Sequence, residues 1–208
     1  MMREAFPPLP DHETLSLAWP TTRRDLFTNP EDYIVRTPAN PDYGKPGWTR
    51  DGGQRFHRGV DIAPARRQPT GTLIRLQFTD LGTGKEYPAE VPGWRPEDEV
   101  YAVADGVVVE AVTQESESDF GLHVVLRHAW PQQRTSFFTL YGHLASVQVT
   151  AGQVVRAGAW LGALGATSRI PDARNWMAAF PHLHFEARDA EHRRYDPLEF
   201  LRCYLREG

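Results

Sequence analysis

Prolines and glycines, 17 of each in 208 residues, punctuate this chain along its whole length, and apolar residues at helical spacing are scarce before its C-terminal end. Proline removes a backbone donor and fixes φ, and glycine loses the most freedom on ordering, so long helices cannot run through such a sequence. Short strands joined by turns can. The expected fold is mainly β: a compact antiparallel β-sandwich or barrel-like core with an inserted hairpin and a short C-terminal helix.

Residues 1–56 read as an irregular, Pro-rich segment in which Leu15 to Trp19 is the one convincing strand. Tyr33, Ile34, Tyr43 and Trp48 are too apolar for a free linker, so this segment is expected to pack on the core. Leu73 to Phe78 and Tyr87 to Val91, separated by Gly82-Thr83-Gly84, read as a hairpin. Further strands are expected at about 99–104, 107–113, 122–127, 137–141 and 147–149, and a last one at 182–188. Between Val149 and Gly165, glycines and apolar residues alternate at intervals suited to short, tightly turning strands at a sheet edge. Asp196 as N-cap, Pro197 at the first helical position and Glu199 three residues after the cap begin a helix whose apolar face is Leu198, Leu201 and Leu205.

Composition excludes several functions. The single cysteine, Cys203, cannot close an intrachain disulfide or build a cysteine-based zinc or iron–sulfur site. A net charge of −4 without a basic run leaves no footprint for nucleic acid. No apolar stretch reaches the roughly 20 residues of a membrane span. Residues 1–11 lack the apolar centre of a signal peptide, so no export signal is expected in them.

Three segments concentrate chemistry: His57-Arg58-Gly59-Val60-Asp61, Tyr141-Gly142-His143-Leu144 and His182-Leu183-His184-Phe185-Glu186. On a strand, residues i and i+2 share a face, so His182 and His184 can present two imidazoles to one spot. Gly59 allows a sharp path between His57 and Asp61. Two neutral imidazoles and one carboxylate can bind a divalent metal while leaving a position open, the arrangement of catalytic rather than structural zinc sites. The remaining histidines are then spare for proton transfer.

The order of these motifs, from His-x-x-x-Asp through Tyr-Gly-His-Leu and the Gly/Val-rich run to His-Leu-His-Phe-Glu, resembles the lysostaphin-type, LytM-like zinc metallopeptidases. The resemblance spans His57 to about Arg188. It implies a metallopeptidase domain over 57–208, with zinc held by His57, Asp61 and His184 and with His143 and His182 as catalytic histidines. It also implies an endopeptidase acting on peptide bonds of peptidoglycan, in the cell envelope or outside the cell. Which histidine is the general base stays open, with His182 favoured; Glu186 reads as a partner behind the site rather than a fourth ligand. Tyr141, Trp176 and Phe180 are expected to pack, and His12, His123, His128 and His192 to be surface or structural residues.

The chain departs from the family pattern in an insertion at about 66–99, which holds the hairpin, and in a long 168–180 loop before the His-x-His strand. Both are expected beside the groove, restricting which peptide enters. Other functions weigh less. Envelope adaptors that activate another hydrolase typically lack members of the zinc set, and this chain lacks none, which counts against that reading. A biotinyl- or lipoyl-type carrier needs a lysine in the Gly/Val run, whereas the only lysines are Lys45 and Lys85. A non-haem iron oxygenase also uses two histidines and a carboxylate, but has no call on the two extra histidines.

Overall fold

A computed structural model describes residues 3–10, 15–80, 82–130 and 135–205. In chain order the strands are β1 (Gly47–Arg50), β2 (Arg55–His57), β3 (Val60–Ile62), β4 (Arg67–Thr79), β5 (Glu86–Pro96), β6 (Glu99–Tyr101), β7 (Gly106–Val112), β8 (Leu122–Ala129), β9 (Ser136–Val147), β10 (Val154–Val155) and β11 (Trp160–Leu164). Helix α1 (Pro171–Ala179), β12 (Leu183–Arg188), β13 (Arg194–Tyr195) and helix α2 (Pro197–Tyr204) follow.

The main sheet is antiparallel and branched. One path runs β10-β7-β8-β9-β11-β6, and β12 joins it through β9 and carries β3 and β13. The long strand β9 makes this possible: residues 138–142 pair with β12, and residues 144–147 pair with β11. Strands β8 and β9 are buried on both faces over much of their length, which explains why Val124, Val125 and Leu126 run together without polar alternation. Val124, Leu126, Phe137, Leu144, Leu161 and Phe185 lie at the centre of one continuous core.

The hairpin β4-β5 is longer than its apolar runs suggested, and most of its residues are exposed. A two-stranded ribbon alone is marginal in water. This one is anchored where Phe78, buried at its far end, meets Phe180 just after α1, with ring centroids 6.5 Å apart. Its root is closed by the carboxylate of Asp98, which accepts the amides of Ala65 at 3.0 Å and Arg66 at 2.8 Å.

Three expectations need correction. The 168–180 segment is not a loop: α1 occupies most of it, starting with Pro171 in its first turn and Asp172 near its N-terminus. Leu15 to Trp19 is not a strand but a tie. The Leu17 amide bonds the Tyr204 carbonyl and the Ala18 amide the Val103 carbonyl, both at 2.7 Å, so its ladder is split between two elements. The strand expected at 147–149 is the end of β9, which runs only to Val147. The terminal helix begins as expected, with Asp196 accepting the Leu198 and Glu199 amides. Glu199 turns instead to Arg202, so the capping box is half formed.

Candidate metal and catalytic centre

Asp61 on β3 and His184 on β12 are direct cross-strand partners, and on the other side of β12 His184 stands opposite Gly142 of β9. This register brings the three sequence motifs together, and His57, from the same motif as Asp61, arrives at the end of β2. Donor atoms of His57, Asp61 and His184 all lie within 4.8 Å of one another, and each residue is less than a tenth exposed. His184 Nδ1 is 2.9 Å from Asp61 Oδ1, and His57 Nε2 is 3.3 Å from the same oxygen.

His143 reaches the cluster through a bulge. Between Leu122 and Val124 strand β8 advances two residues while β9 advances three, from Leu144 to Tyr141. His143 takes up the excess with φ of 63°, a left-handed conformation uncommon for histidine. Such a bulge turns the side chain out of the pleat and toward the site, where its ring lies 5.0 Å from His182 and 5.8 Å from His184 between centroids. His182 sits just before β12, with Nε2 3.6 Å from Asp61 Oδ1.

Backbone carbonyls fix the tautomers. A carbonyl only accepts, so the rings donate through Nδ1: His57 to Lys45 at 2.9 Å, His143 to Thr167 at 2.8 Å and His182 to Phe180 at 2.8 Å. Nε2 is then the basic nitrogen of all three. His184 is reversed, because Nδ1 faces Asp61 and Nε2 lies 3.3 Å from Glu186 Oε1. Glu186 is held in turn by Arg188 at 2.6 Å and Arg194 at 3.2 Å.

Burial pulls His57, His143 and His182 below the ordinary histidine value, so all three are neutral at pH 7. Burial also acts on His184, but hydrogen bonds and charge from Asp61 and Glu186 outweigh it and raise its pKa to about 9. For Asp61, burial opposes ionisation, yet His57, His182 and Arg50 together with the His184 bond hold it well below the carboxylate range. The donor set fits a divalent cation: two imidazole nitrogens and a carboxylate oxygen, ring orientations fixed from behind by Lys45 and Glu186, and an ionised carboxylate that calls for positive charge.

The centre lies in a cleft of about 420 Å³. One wall is Tyr43 and Trp176, whose rings are 4.6 Å apart; another is Phe120, stacked on His184 at 5.3 Å. Trp176, expected to pack, therefore lines the cleft. Tyr141 is fully buried, its hydroxyl accepting the Val103 amide at 3.0 Å. His123 and His128 are buried structural residues, and His192 rests on Phe138 at 4.8 Å. His12 lies outside the described residues.

The sequence reading missed Arg50, whose Nη2 pairs with Asp61 Oδ2 and lies 3.1 Å from His57 Nε2. Asp51-Gly52-Gly53 forms a turn between two short strands that sets Arg50 opposite Arg55, but nothing in the sequence ties that position to the site. Gly59 serves close packing rather than an unusual backbone path. A Cβ there would strike the His184 ring and come within 2.9 Å of the Phe185 carbonyl oxygen.

The model of the family described as Peptidase family M23 matches residues 93–197, about half of the chain. That span includes His143, His182 and His184, while His57 and Asp61 precede it. No curated protein matches the sequence. Among solved structures, the catalytic domain of the antimicrobial peptidase lysostaphin from Staphylococcus simulans is 21% identical, with 77% of this chain and 90% of that chain covered and a TM-score of 0.46. The catalytic domain of the prophage-encoded M23 protein EnpA from Enterococcus faecalis, solved as a point mutant, is 20% identical over 79% of this chain and 88% of that chain, with a TM-score of 0.43. A zinc-containing peptidase from Vibrio cholerae is 25% identical over 64% of this chain and 37% of that chain, with a TM-score of 0.38.

Proposed function

The chain belongs to peptidase family M23, and from that premise we propose that it is a zinc-dependent endopeptidase whose substrate is the peptide part of bacterial peptidoglycan. The observation that carries the reading is the convergence of His57, Asp61 and His184 on one point, with the rings of His143 and His182 beside it.

His57 Nε2, Asp61 Oδ1 and His184 Nδ1 are the atoms that would hold the metal. Bound zinc supplies a Lewis acid that makes hydroxide available near neutral pH and polarises the scissile carbonyl. The protein residues do the rest. His182, neutral and with its Nδ1 proton committed to Phe180, offers Nε2 to take a proton from the attacking water and pass it to the leaving amine. His143, held the same way by Thr167, can steady the water or, once protonated, the developing oxyanion. Tyr43, Trp176 and Phe120 give the peptide apolar walls and narrow the access of bulk water.

Non-catalytic adaptor relatives typically lack members of this set, and the presence of all five groups, adjacent in space, favours the enzymatic reading. The test is incubation of the zinc-loaded protein with purified sacculi, with released fragments identified by mass. Soluble peptides carrying new amino termini, lost with a chelator and with His182→Ala, are the expected outcome. Intact sacculi and intact test peptides would remove the enzymatic reading.

A further inference from the structure

The carboxylate of Asp61 is divided between two tasks. Oδ1 faces His57, His182 and His184, and Oδ2 pairs with Nη2 of Arg50. That same nitrogen lies 3.1 Å from His57 Nε2. Because His57 donates through Nδ1 to Lys45, Nε2 carries the ring's lone pair, and it accepts from Arg50. One guanidinium nitrogen thus occupies both the lone pair of His57 and an oxygen of Asp61, which are two of the three groups read above as metal donors.

Arg50 is only 6% exposed, its Nε has no hydrogen-bond partner among the described residues, and its guanidinium stacks 3.5 Å from the centroid of Tyr43. A buried cation persists only where opposite charge compensates it. Here the compensation is Asp61, whose carboxylate Arg50 shares with His184.

We propose that Arg50 is a resident cation that competes with the divalent metal for His57 and Asp61, so that loading requires the guanidinium to release His57 Nε2. The proposal rests on the reading of His57, Asp61 and His184 as metal donors. Two physical arguments carry it. A single lone pair cannot accept an N–H and coordinate a metal at once. A fixed positive charge a few ångströms away also repels a divalent ion in a poorly screened site. The consequence is a protein that keeps its centre folded without metal and binds metal less tightly than its donor set alone would.

The opposite expectation belongs to a purely positioning role. If Arg50 merely oriented Asp61, its removal would loosen a ligand and weaken metal binding. The sign of the change therefore decides. Zinc affinity would be measured on the full chain by competition with a chromogenic chelator, for the native protein, Arg50→Gln and Arg50→Lys, alongside thermal unfolding with and without zinc.

Arg50→Gln is expected to bind zinc more tightly by roughly tenfold or more, the scale of removing a unit charge from a partly screened site. Its metal-free form should melt lower than the native protein and gain more from zinc. Arg50→Lys keeps the charge but not the planar fork, so it should bind more tightly than the native protein by a smaller factor. If Arg50→Gln folds only with zinc, the proposal is supported; if it never folds, the Lys variant decides. Equal or weaker binding in the variants overturns the proposal and leaves the metallopeptidase reading standing. Failure of the native protein and both variants to bind zinc overturns both.

Discussion

A methyl group at position 59 would meet the His184 ring and lie 2.9 Å from the Phe185 carbonyl oxygen, and neither strand partner can retreat without breaking the β3–β12 ladder. Overpacking of this kind costs about 1–3 kcal/mol. Gly59→Ala should therefore lower both the unfolding midpoint and zinc affinity. Gly142→Ala, whose added carbon would find its nearest neighbours at 3.4 and 3.5 Å, should disturb both less. Chemical denaturation and chelator competition on the two variants check this. His128 supplies a second prediction at this scale. Its Nδ1 donates to the Asp105 carbonyl at 2.9 Å and its Nε2 lies 2.8 Å from the Thr139 hydroxyl, and burial lowers its pKa to about 4. The unfolded chain, titrating near 6.5, then binds more protons than the folded one between those values, so stability falls as pH drops through that window. The loss is on the order of 3 kcal/mol once both states are protonated. Denaturant unfolding at pH 7 and pH 4 should show a smaller acid loss for His128→Gln than for the native protein. The grouping of His57, Asp61, His143, His182 and His184 was legible because strand spacing puts His182 and His184 on one face and because the order of the three motifs resembles that of a known family. Arg50 was not, because an arginine in a turn-rich stretch carries no signal until the β1–β2 pairing places it against Asp61.

At the scale of elements, the root of the β4–β5 hairpin is held independently of its length. Asp98 accepts the Ala65 and Arg66 amides, and the Glu97 amide bonds the Arg66 carbonyl at 3.0 Å, so the chain enters and leaves at neighbouring points. Residues 67–96 should be replaceable by a short Gly-containing turn without loss of the main sheet. What would change is the wall: Phe78 packs near Phe180, Phe180 lies 5.1 Å from Trp176, and Trp176 faces Tyr43 and His182. The shortened protein should unfold at a similar denaturant concentration and cleave a changed set of peptides. Unchanged cleavage across a panel of peptides would remove any role of the hairpin in selection. The hairpin could be read from its alternating pattern, since alternation survives even where neither face is buried. Helix α1 could not: nine residues, of which only Met177 and Ala179 are buried, give too weak a periodicity to separate it from a loop. Trp176 was accordingly assigned to packing, although the helix turns it toward the cleft.

At the scale of the whole molecule, the irregular N-terminal stretch is part of the framework that sets the centre. Leu17, Leu26, Tyr33 and Ile34 are buried in the common core. The Tyr101 amide bonds the Pro20 carbonyl at 2.9 Å, which adds this stretch to the β6 edge. Farther along, the Val35 amide reaches the Asp61 carbonyl at 3.0 Å and the Asp61 amide the Gly44 carbonyl at 2.9 Å, so both backbone groups of a proposed metal donor are clamped by residues 35–44. Two effects can therefore be separated. Leu17→Ala removes a fully buried side chain remote in the chain from that clamp. It should cost about 2–5 kcal/mol by urea unfolding while leaving zinc affinity of the folded protein unchanged. Removing residues 1–40 takes away core residues together with the Val35 half of the clamp, and zinc should not restore folding, because metal binding stabilises only a state that already presents its donors. Circular dichroism of that truncated chain with and without zinc checks the point. A native-like spectrum with zinc alone would mean that residues 41–205 hold the centre by themselves, and that the N-terminal stretch is covering rather than framework.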